Sequence, residues 1–395
     1  MKQDRIAESI FFYFCAINIL IMVILLLLSK GEFVSALTYD ESNFADFWSH
    51  IGRLLFSENI YDTDADAIFP PLAYLFLKLF AYPLIYKAEA GNEIEQIARS
   101  GYGILMVLMY LLLFYYLFMI AVNIFYETES RFKKTVLLGI FIFSYSVWGF
   151  AVERGNLILY TMLFLMLGLA LRNSPNKALR EIALVFTAVS AGFKLYPAIF
   201  GFVWIAEKKY KEAVRLVIYG LTAFFVPFLF VDSFRNYINT FKLYLDKRMY
   251  SHASIWGSVI NTFGDNKYTQ LLCRGLVASI IIWALALLFI HGVNWKTITL
   301  LTATQTILIP EQYVYTYVLI IIPLIFFLNA GDKRKIDYVY AALFAALFTM
   351  PPIIGGRGRI MYFIWMLILI MVSVDEFTFL IKFLKKDAKK RFLKT

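Results

Sequence analysis

Charge is what this sequence lacks most. Only 17% of its 395 residues are Asp, Glu, Lys or Arg, against about one quarter in a soluble globular domain. So few charges cannot cover the surface of a water-soluble protein of this length. Cysteine is nearly absent. Cys15 and Cys273 both fall in or beside apolar runs, which excludes a disulfide framework and a thiolate metal site. His50, His252 and His291 are the only histidines and make no metal-ligand spacing, so neither a protein-bound metal nor another cofactor is expected. Low-complexity tracts, internal repeats and any soluble domain longer than a loop are also missing.

What is present is apolar: 61% of residues are hydrophobic and the mean hydropathy is +0.69. Several runs approach the ~20 residues a helix needs to cross a bilayer. They are continuous rather than alternating, so they read as helices and not as barrel strands. We expect an all-α, polytopic membrane protein that forms one integral-membrane domain over residues 1–395. Candidate membrane segments are 10–28, 70–86, 102–125, 135–150, 156–171, 182–205, 213–231, 271–290, 297–309, 313–328, 338–350 and 360–383. Lys2 and Arg5 ahead of an apolar run, with Val34-Ser35-Ala36 behind it, resemble a signal peptide. The run is longer than the usual 7–15 residues of such a peptide and further spans follow it, so it is expected to remain as the first span.

The net charge of +10 does not imply nucleic acid, because the basic residues sit in short clusters between spans, where topology determinants sit. If 70–86 crossed the membrane, Arg131/Lys133/Lys134, Lys208/Lys209/Lys211, Lys333/Arg334/Lys335 and the basic tail would all lie outside. If 70–86 dips in and returns, all of them are cytoplasmic, as are both termini. The same rule folds 182–205 into a hairpin of two short arms with its apex outward. We therefore read 70–86 as re-entrant or interfacial. The remaining ionisable residues then gather on the outer face, roofed by the loops 29–69 and 232–268. They include Asp46, His50, Arg53, Asp62/Asp64/Asp66, Glu153/Arg154, Lys194/Tyr196, His252, Glu311 and Arg357/Arg359.

Residues 43–72 open this outer region. Phe44, Phe47, Trp48, Ile51, Leu54 and Leu55 recur at helical spacing, with Asp46, Ser49, His50 and Arg53 opposite. The pattern predicts a short helix lying flat in the interface, capped by Ser42 or Asn43. Asp46 there can act as a general base toward a hydroxyl; its alternative is a solvated acid paired with His50 or Arg53. Glu153-Arg154-Gly155-Asn156 opens a span, either presenting a guanidinium to a phosphate or anchoring at the interface. Lys194-Leu195-Tyr196-Pro197 interrupts an apolar segment. A lysine there is costly unless it faces a cavity, a partner or the surface, and Pro197 stops the helix. In Gly355-Gly356-Arg357-Gly358-Arg359, glycine lets the backbone come close to a ligand and arginine forks onto phosphate, although a basic outer turn reads the same way.

One acid among several cations suits an amphiphile with a phosphate at the bilayer surface, such as a lipid-phosphate-linked sugar. Here the chain resembles a family. Asp46-Phe47 through Tyr61 with Phe69-Pro70-Pro71-Leu72, Glu153-Arg154-Gly155-Asn156-Leu157, Lys194-Leu195-Tyr196-Pro197 and Ser254-Ile255-Trp256-Gly257-Ser258 occur in the order seen in family 87. These are the polyprenyl-phosphate-mannose-dependent mannosyltransferases of the GT-C fold. Gln312-Tyr313 ahead of Leu324 is a looser match, where the family often has an aromatic or histidine-rich segment. The Asp62/Asp64/Asp66 cluster is not part of the family pattern.

The resemblance implies an inverting, metal-independent transfer. A mannose or other hexose would move from a polyprenyl monophosphate to a glycolipid or glycan acceptor. Asp46 would be the base, with Lys194, Tyr196, Arg154 and Arg357 on the donor phosphate. His50, Glu153, Asn156, His252, Trp256, Gln312 and Tyr313 would line the pocket. The expected setting is the outer face of a bacterial plasma membrane, with membrane lipids and the two substrates as partners, no nucleic acid, and a monomer. Two other classes handle similar molecules. A lipid-linked saccharide flippase would carry ionisable residues near the midplane and paired halves, and these spans show neither. A polysaccharide polymerase or ligase would release a diphosphate rather than a monophosphate.

Overall fold

The structure, a computed structural model, describes residues 6–30, 43–61, 68–143, 147, 149–246, 250–251, 254–309, 314–331, 334–350 and 357–392. Among the described residues the chain is helical and contains no strand. The helices are α1 (Ile6–Leu28), α2 (Ala45–Phe56), α3 (Pro71–Ala81), α4 (Ile85–Glu89), α5 (Ile94–Arg99), α6 (Gly101–Phe125), α7 (Arg131–Phe143), α8 (Phe150–Glu153), α9 (Ile158–Leu171) and α10 (Lys177–Phe193). They continue with α11 (Phe202–Ala206), α12 (Tyr210–Phe225), α13 (Phe234–Asp246), α14 (Ile255–Phe263), α15 (Lys267–His291), α16 (Trp295–Thr306), α17 (Ile321–Asn329), α18 (Lys335–Thr349) and α19 (Arg357–Phe392). Short 3₁₀ segments Tyr196–Gly201 and Val314–Ile320 lead into α11 and α17.

Among the described residues, five helices are long and apolar enough to cross a membrane: Ile6–Leu28, Gly101–Phe125, Tyr210–Leu229, Lys267–His291 and Ile360–Ile381. Their outer faces remain largely exposed hydrophobic surface, as lipid-facing helices require. Of the shorter apolar helices, Ile158–Leu171 and Val314–Asn329 are largely buried. α9 is apolar all round and nearly every residue in it is buried, the pattern of a core helix. The turns supply their own caps. Ser100 Oγ accepts from Gly103 N at 3.1 Å, and Asn294 Oδ1 accepts from Lys296 N and Thr297 N at 2.9 and 3.1 Å. Both satisfy amides that a helix N-terminus leaves without intrahelical partners.

Cross-links between turns sort the chain into two ends. At one end Glu8 pairs with Lys133, Glu127 N donates to Asn329 Oδ1 at 2.9 Å, and Glu207 holds Arg172 and Lys209 at 2.9 and 2.7 Å. Asp375 there binds Lys296 and Arg334. The described basic clusters all belong to this end. At the other end lie α2, α3, α14, the Glu153–Asn156 turn and Lys194. Tyr61 meets the segment after α12 there: Tyr61 N donates to Asp232 Oδ2 at 2.9 Å, and Thr240 Oγ1 donates to Tyr61 O at 2.6 Å.

The 70–86 segment is α3, a 3₁₀ turn and α4 in place of one straight span. At ~1.5 Å per residue, the 11 residues of α3 reach only about half the ~30 Å of hydrocarbon. The 182–205 segment is the expected hairpin, with α10 as one arm and Tyr196–Ala206 as the other.

Candidate functional site

The site is built where α2 docks on the turn between α8 and α9. The N-cap of α2 is Phe44, in the left-handed conformation at φ 59 and with no side-chain bond. This corrects the expected cap at Ser42 or Asn43. Backbone carbonyls of the neighbouring turn replace it: Phe44 N donates to Glu153 O at 2.8 Å, and Asp46 N and Phe47 N donate to Arg154 O at 3.1 and 3.2 Å. Gly155 sits at φ +60, and a Cβ there would lie 2.8 Å from Phe47 Cβ and 3.1 Å from Phe44 Cδ1. Only glycine both adopts that backbone and admits α2 so closely.

This docking fixes the Asp46 carboxylate. Arg154 donates to both of its oxygens, with Nε to Oδ2 at 2.9 Å and Nη2 to Oδ1. Asn156 Nδ2 donates to Oδ2 at 2.5 Å, while Asn156 Oδ1 accepts from Ile158 N at 2.9 Å. Burial pushes the Asp46 carboxyl up. The Arg154 hydrogen bonds and charge, then Asn156 and the His50 charge, outweigh it and hold the group below the usual carboxylate value. The partner of Asp46 is therefore Arg154, from 108 residues away in sequence, and not His50 or Arg53 on its own helix. The Arg154 guanidinium, also stacked on the Phe150 ring at 5.6 Å, is committed to the acid. Of the polar face of α2, Asp46 and His50 are turned into the protein while Ser49 stays exposed. His50 is buried, with Nδ1 3.1 Å from Tyr74 Oη and its ring 4.3 Å from that of Phe69.

Lys194 is the C-cap of α10, in extended backbone that ends the helix before Pro197. It is buried, and its ammonium lies over the Phe69 and Tyr315 rings at 4.7 and 5.3 Å. Among the described residues the ammonium makes no ion pair or hydrogen bond. Burial depresses its pKa to about 8, although the charge of Asp46 works in the opposite direction. The acid and the lysine are therefore close enough to interact electrostatically. Phe69 links their two segments: its ring lies 4.3 Å from that of His50, on the helix of Asp46, and 4.7 Å from the Lys194 ammonium.

The remaining candidates divide. Tyr196 is partly buried, and its hydroxyl finds no partner among the described residues. Glu153 contributes its backbone carbonyl to α2. Trp256, on α14, donates from Nε1 to Leu308 O at 3.0 Å and stacks on Tyr250, so it ties α14 to the C-terminal end of α16. His252, Gln312 and Tyr313 lie outside the described residues, as do Glu311 and Asp62, Asp64 and Asp66. Arg357 begins α19, but its side chain is also outside them, as is that of Arg359. Sequence reasoning missed Phe69 and Tyr315 as aromatic walls for Lys194. It also missed Gln305, which is 1% exposed and whose amide oxygen and nitrogen both lack partners among the described residues. The threonines around it bond back to their own helix, so Gln305 is the polar side chain of α16 left over.

Asp46 and the buried Lys194 thus stand at the same end of a polytopic helical bundle. The glycosyltransferase family 87 model matches residues 67–310, well over half of the chain. The chain belongs to that family and is a membrane glycosyltransferase. The match takes in the Glu153–Asn156 turn and Lys194, while Asp46 precedes it. No curated protein and no solved structure matches the chain.

Proposed function

We propose that the protein moves a hexose, with mannose the first candidate, from a polyprenyl monophosphate to a glycolipid or glycan hydroxyl at the outer membrane face. The observation that supports this reading is that Asp46 and the buried Lys194 stand at the same end of the bundle, their segments linked through the Phe69 ring. A carboxylate has about four lone-pair positions, and Arg154 and Asn156 fill three on Asp46. One on Oδ1 stays open to an acceptor hydroxyl. That hydroxyl attacks the anomeric carbon from the face opposite the phosphate. The bond from that carbon to the phosphate oxygen breaks, and the phosphate leaves with the electron pair beside the Lys194 ammonium. The hydroxyl proton passes to Asp46. One displacement inverts the anomeric configuration.

A carboxylate held below its usual pKa is a weak base. It suffices here because the hydroxyl turns strongly acidic only as its oxygen bonds to carbon, so the proton moves late. The low pKa also keeps Asp46 ionised inside a cleft that disfavours charge. Arg154 and Asn156 position it, while Lys194 and the Tyr196 hydroxyl face the donor phosphate. By the charge rule the basic end and both termini are cytoplasmic, and the cleft then opens to the outside. Acid and cation come from one chain, so a monomer is sufficient.

The test uses purified protein in lipid nanodiscs with a panel of polyprenyl-phosphate hexoses and a lipid extract as acceptor. Wild-type protein should release polyprenyl monophosphate and transfer the sugar. Asp46→Asn should remain folded and lose transfer. Full transfer by that variant would remove Asp46 as the base. Activity only with diphosphate-linked saccharides would replace this reading with a polymerase or ligase.

A further inference from the structure

Phe69 is held more firmly than a loop residue needs to be. Pro70 follows it and disfavours helical backbone at position 69. Its carbonyl accepts from Tyr61 Oη at 2.8 Å. Tyr61 is itself buried and fixed on both sides of its backbone, its N–H donating to Asp232 and its carbonyl accepting from Thr240. The Phe69 ring is 8% exposed and packs beside the rings of His50 and Tyr74, at 4.3 and 6.4 Å. Three segments distant in sequence therefore set one ring, and the Lys194 ammonium lies over that ring at 4.7 Å.

A buried lysine needs something in place of its lost hydration. A carboxylate in contact would supply it, but would also neutralise the charge and take up its N–H donors. An aromatic face attracts the cation through its quadrupole and leaves all three donors of the ammonium for a ligand. That is the arrangement here. The Tyr315 ring adds a second face at 5.3 Å. The acid of the site, Asp46, is taken by Arg154 and Asn156.

We propose that Phe69 is a positioning residue of the donor site, its ring holding the Lys194 ammonium charged and without a counter-ion where the phosphate binds. The inference rests on the assignment of the donor phosphate to Lys194 and adds what keeps that lysine ready. The ring acts through its electron density as well as its shape. Fluorine on the ring drains that density and changes the shape little, so the two contributions separate.

The test places phenylalanine bearing one, two or three ring fluorines at position 69 of the full chain. Native mass spectrometry in detergent then reads the affinity for farnesyl monophosphate, with farnesol as the neutral control. Affinity for the monophosphate should fall with each fluorine, to about tenfold weaker with three, and farnesol binding should stay constant. Phe69→Leu should weaken monophosphate binding at least as much; if it does not fold, the fluorinated chains decide alone. In Lys194→Ala the monophosphate should bind weakly and the fluorines should have no further effect, the mark of two groups acting through one contact. Equal affinity along the fluorine series, with Lys194→Ala still weakened, would overturn the role of Phe69 and spare the phosphate assignment. A fluorine effect that persists in Lys194→Ala would trace it to packing and overturn the role as well. Undiminished monophosphate binding by Lys194→Ala would remove the phosphate from Lys194, and the inference with it.

Discussion

Asp46 holds three hydrogen bonds and still has an oxygen position to offer. Its replacement by Asn keeps the shape and removes the base. We expect kcat to fall ~10²–10⁴-fold, the usual contribution of a positioned base, with the donor KM little changed. Arg154→Lys keeps the charge but not the fork that grips both carboxylate oxygens. It should lower kcat about tenfold, equivalent to ~1.4 kcal/mol in the barrier, and leave donor affinity nearly intact. A rise in donor KM instead would show that Arg154 holds the phosphate. Lys194 gives a pH signature. Its depressed pKa of about 8 means the free enzyme loses this cation as pH rises through that value. The apparent kcat/KM for donor should therefore fall above about pH 8, and Lys194→Arg should abolish that limb because arginine stays charged. Asp46, held low, should leave the acidic limb below the usual carboxylate range.

Among the elements, α2 shows what the sequence made legible and what it hid. The spacing of Phe47, Trp48 and Ile51 read correctly as a helix with Asp46 and His50 together on its other face. The helix looked as though it would lie on lipid with a wet polar side, and its cap was sought nearby. In the folded chain the polar side meets Tyr74, Phe69 and Arg154, and the cap comes from carbonyls more than a hundred residues away. Hydrophobic periodicity reports which residues share a face but not what that face meets. The Glu-Arg-Gly-Asn run flagged a boundary, yet the purpose of its glycine needed the docked helix. Gly155→Ala must hold a left-handed backbone, costing ~1–2 kcal/mol, and must push Phe47 away. We expect a lower Tm and reduced transfer, measured by thermal shift and by the nanodisc assay. A Tm equal to that of wild type would mean that α2 does not dock through this turn. The Lys-Leu-Tyr-Pro break was legible because an apolar helix seldom tolerates a lysine and a proline so close together. Its aromatic partners were not, since Phe69 and Tyr315 sit in other segments.

On the scale of the molecule, the path of 70–86 decides the topology. A segment that does not cross lets the basic clusters share one side, and the structure brings the described ones to one end. Span lengths were less legible. Among the described residues, only five helices meet the length of a full crossing. α9, α16 and α17 are shorter because protein, and not lipid, surrounds them. Ser57→Cys, at the cleft end, should react in intact cells with a thiol reagent that does not cross membranes, in a background lacking Cys15 and Cys273. Lys208→Cys should react only after lysis. The reverse pattern would invert the topology and move the cleft to the cytoplasm.

The central claim is that Asp46 and Lys194 serve one transfer from a lipid monophosphate. Mass spectrometry of lipids from cells that lack the protein, restored with either wild type or Asp46→Asn, tests it most directly. The account predicts a polyprenyl-monophosphate hexose that builds up without the protein, clears with wild type and stays high with Asp46→Asn. Clearance by Asp46→Asn, or build-up of a diphosphate-linked saccharide in place of the monophosphate, would contradict it.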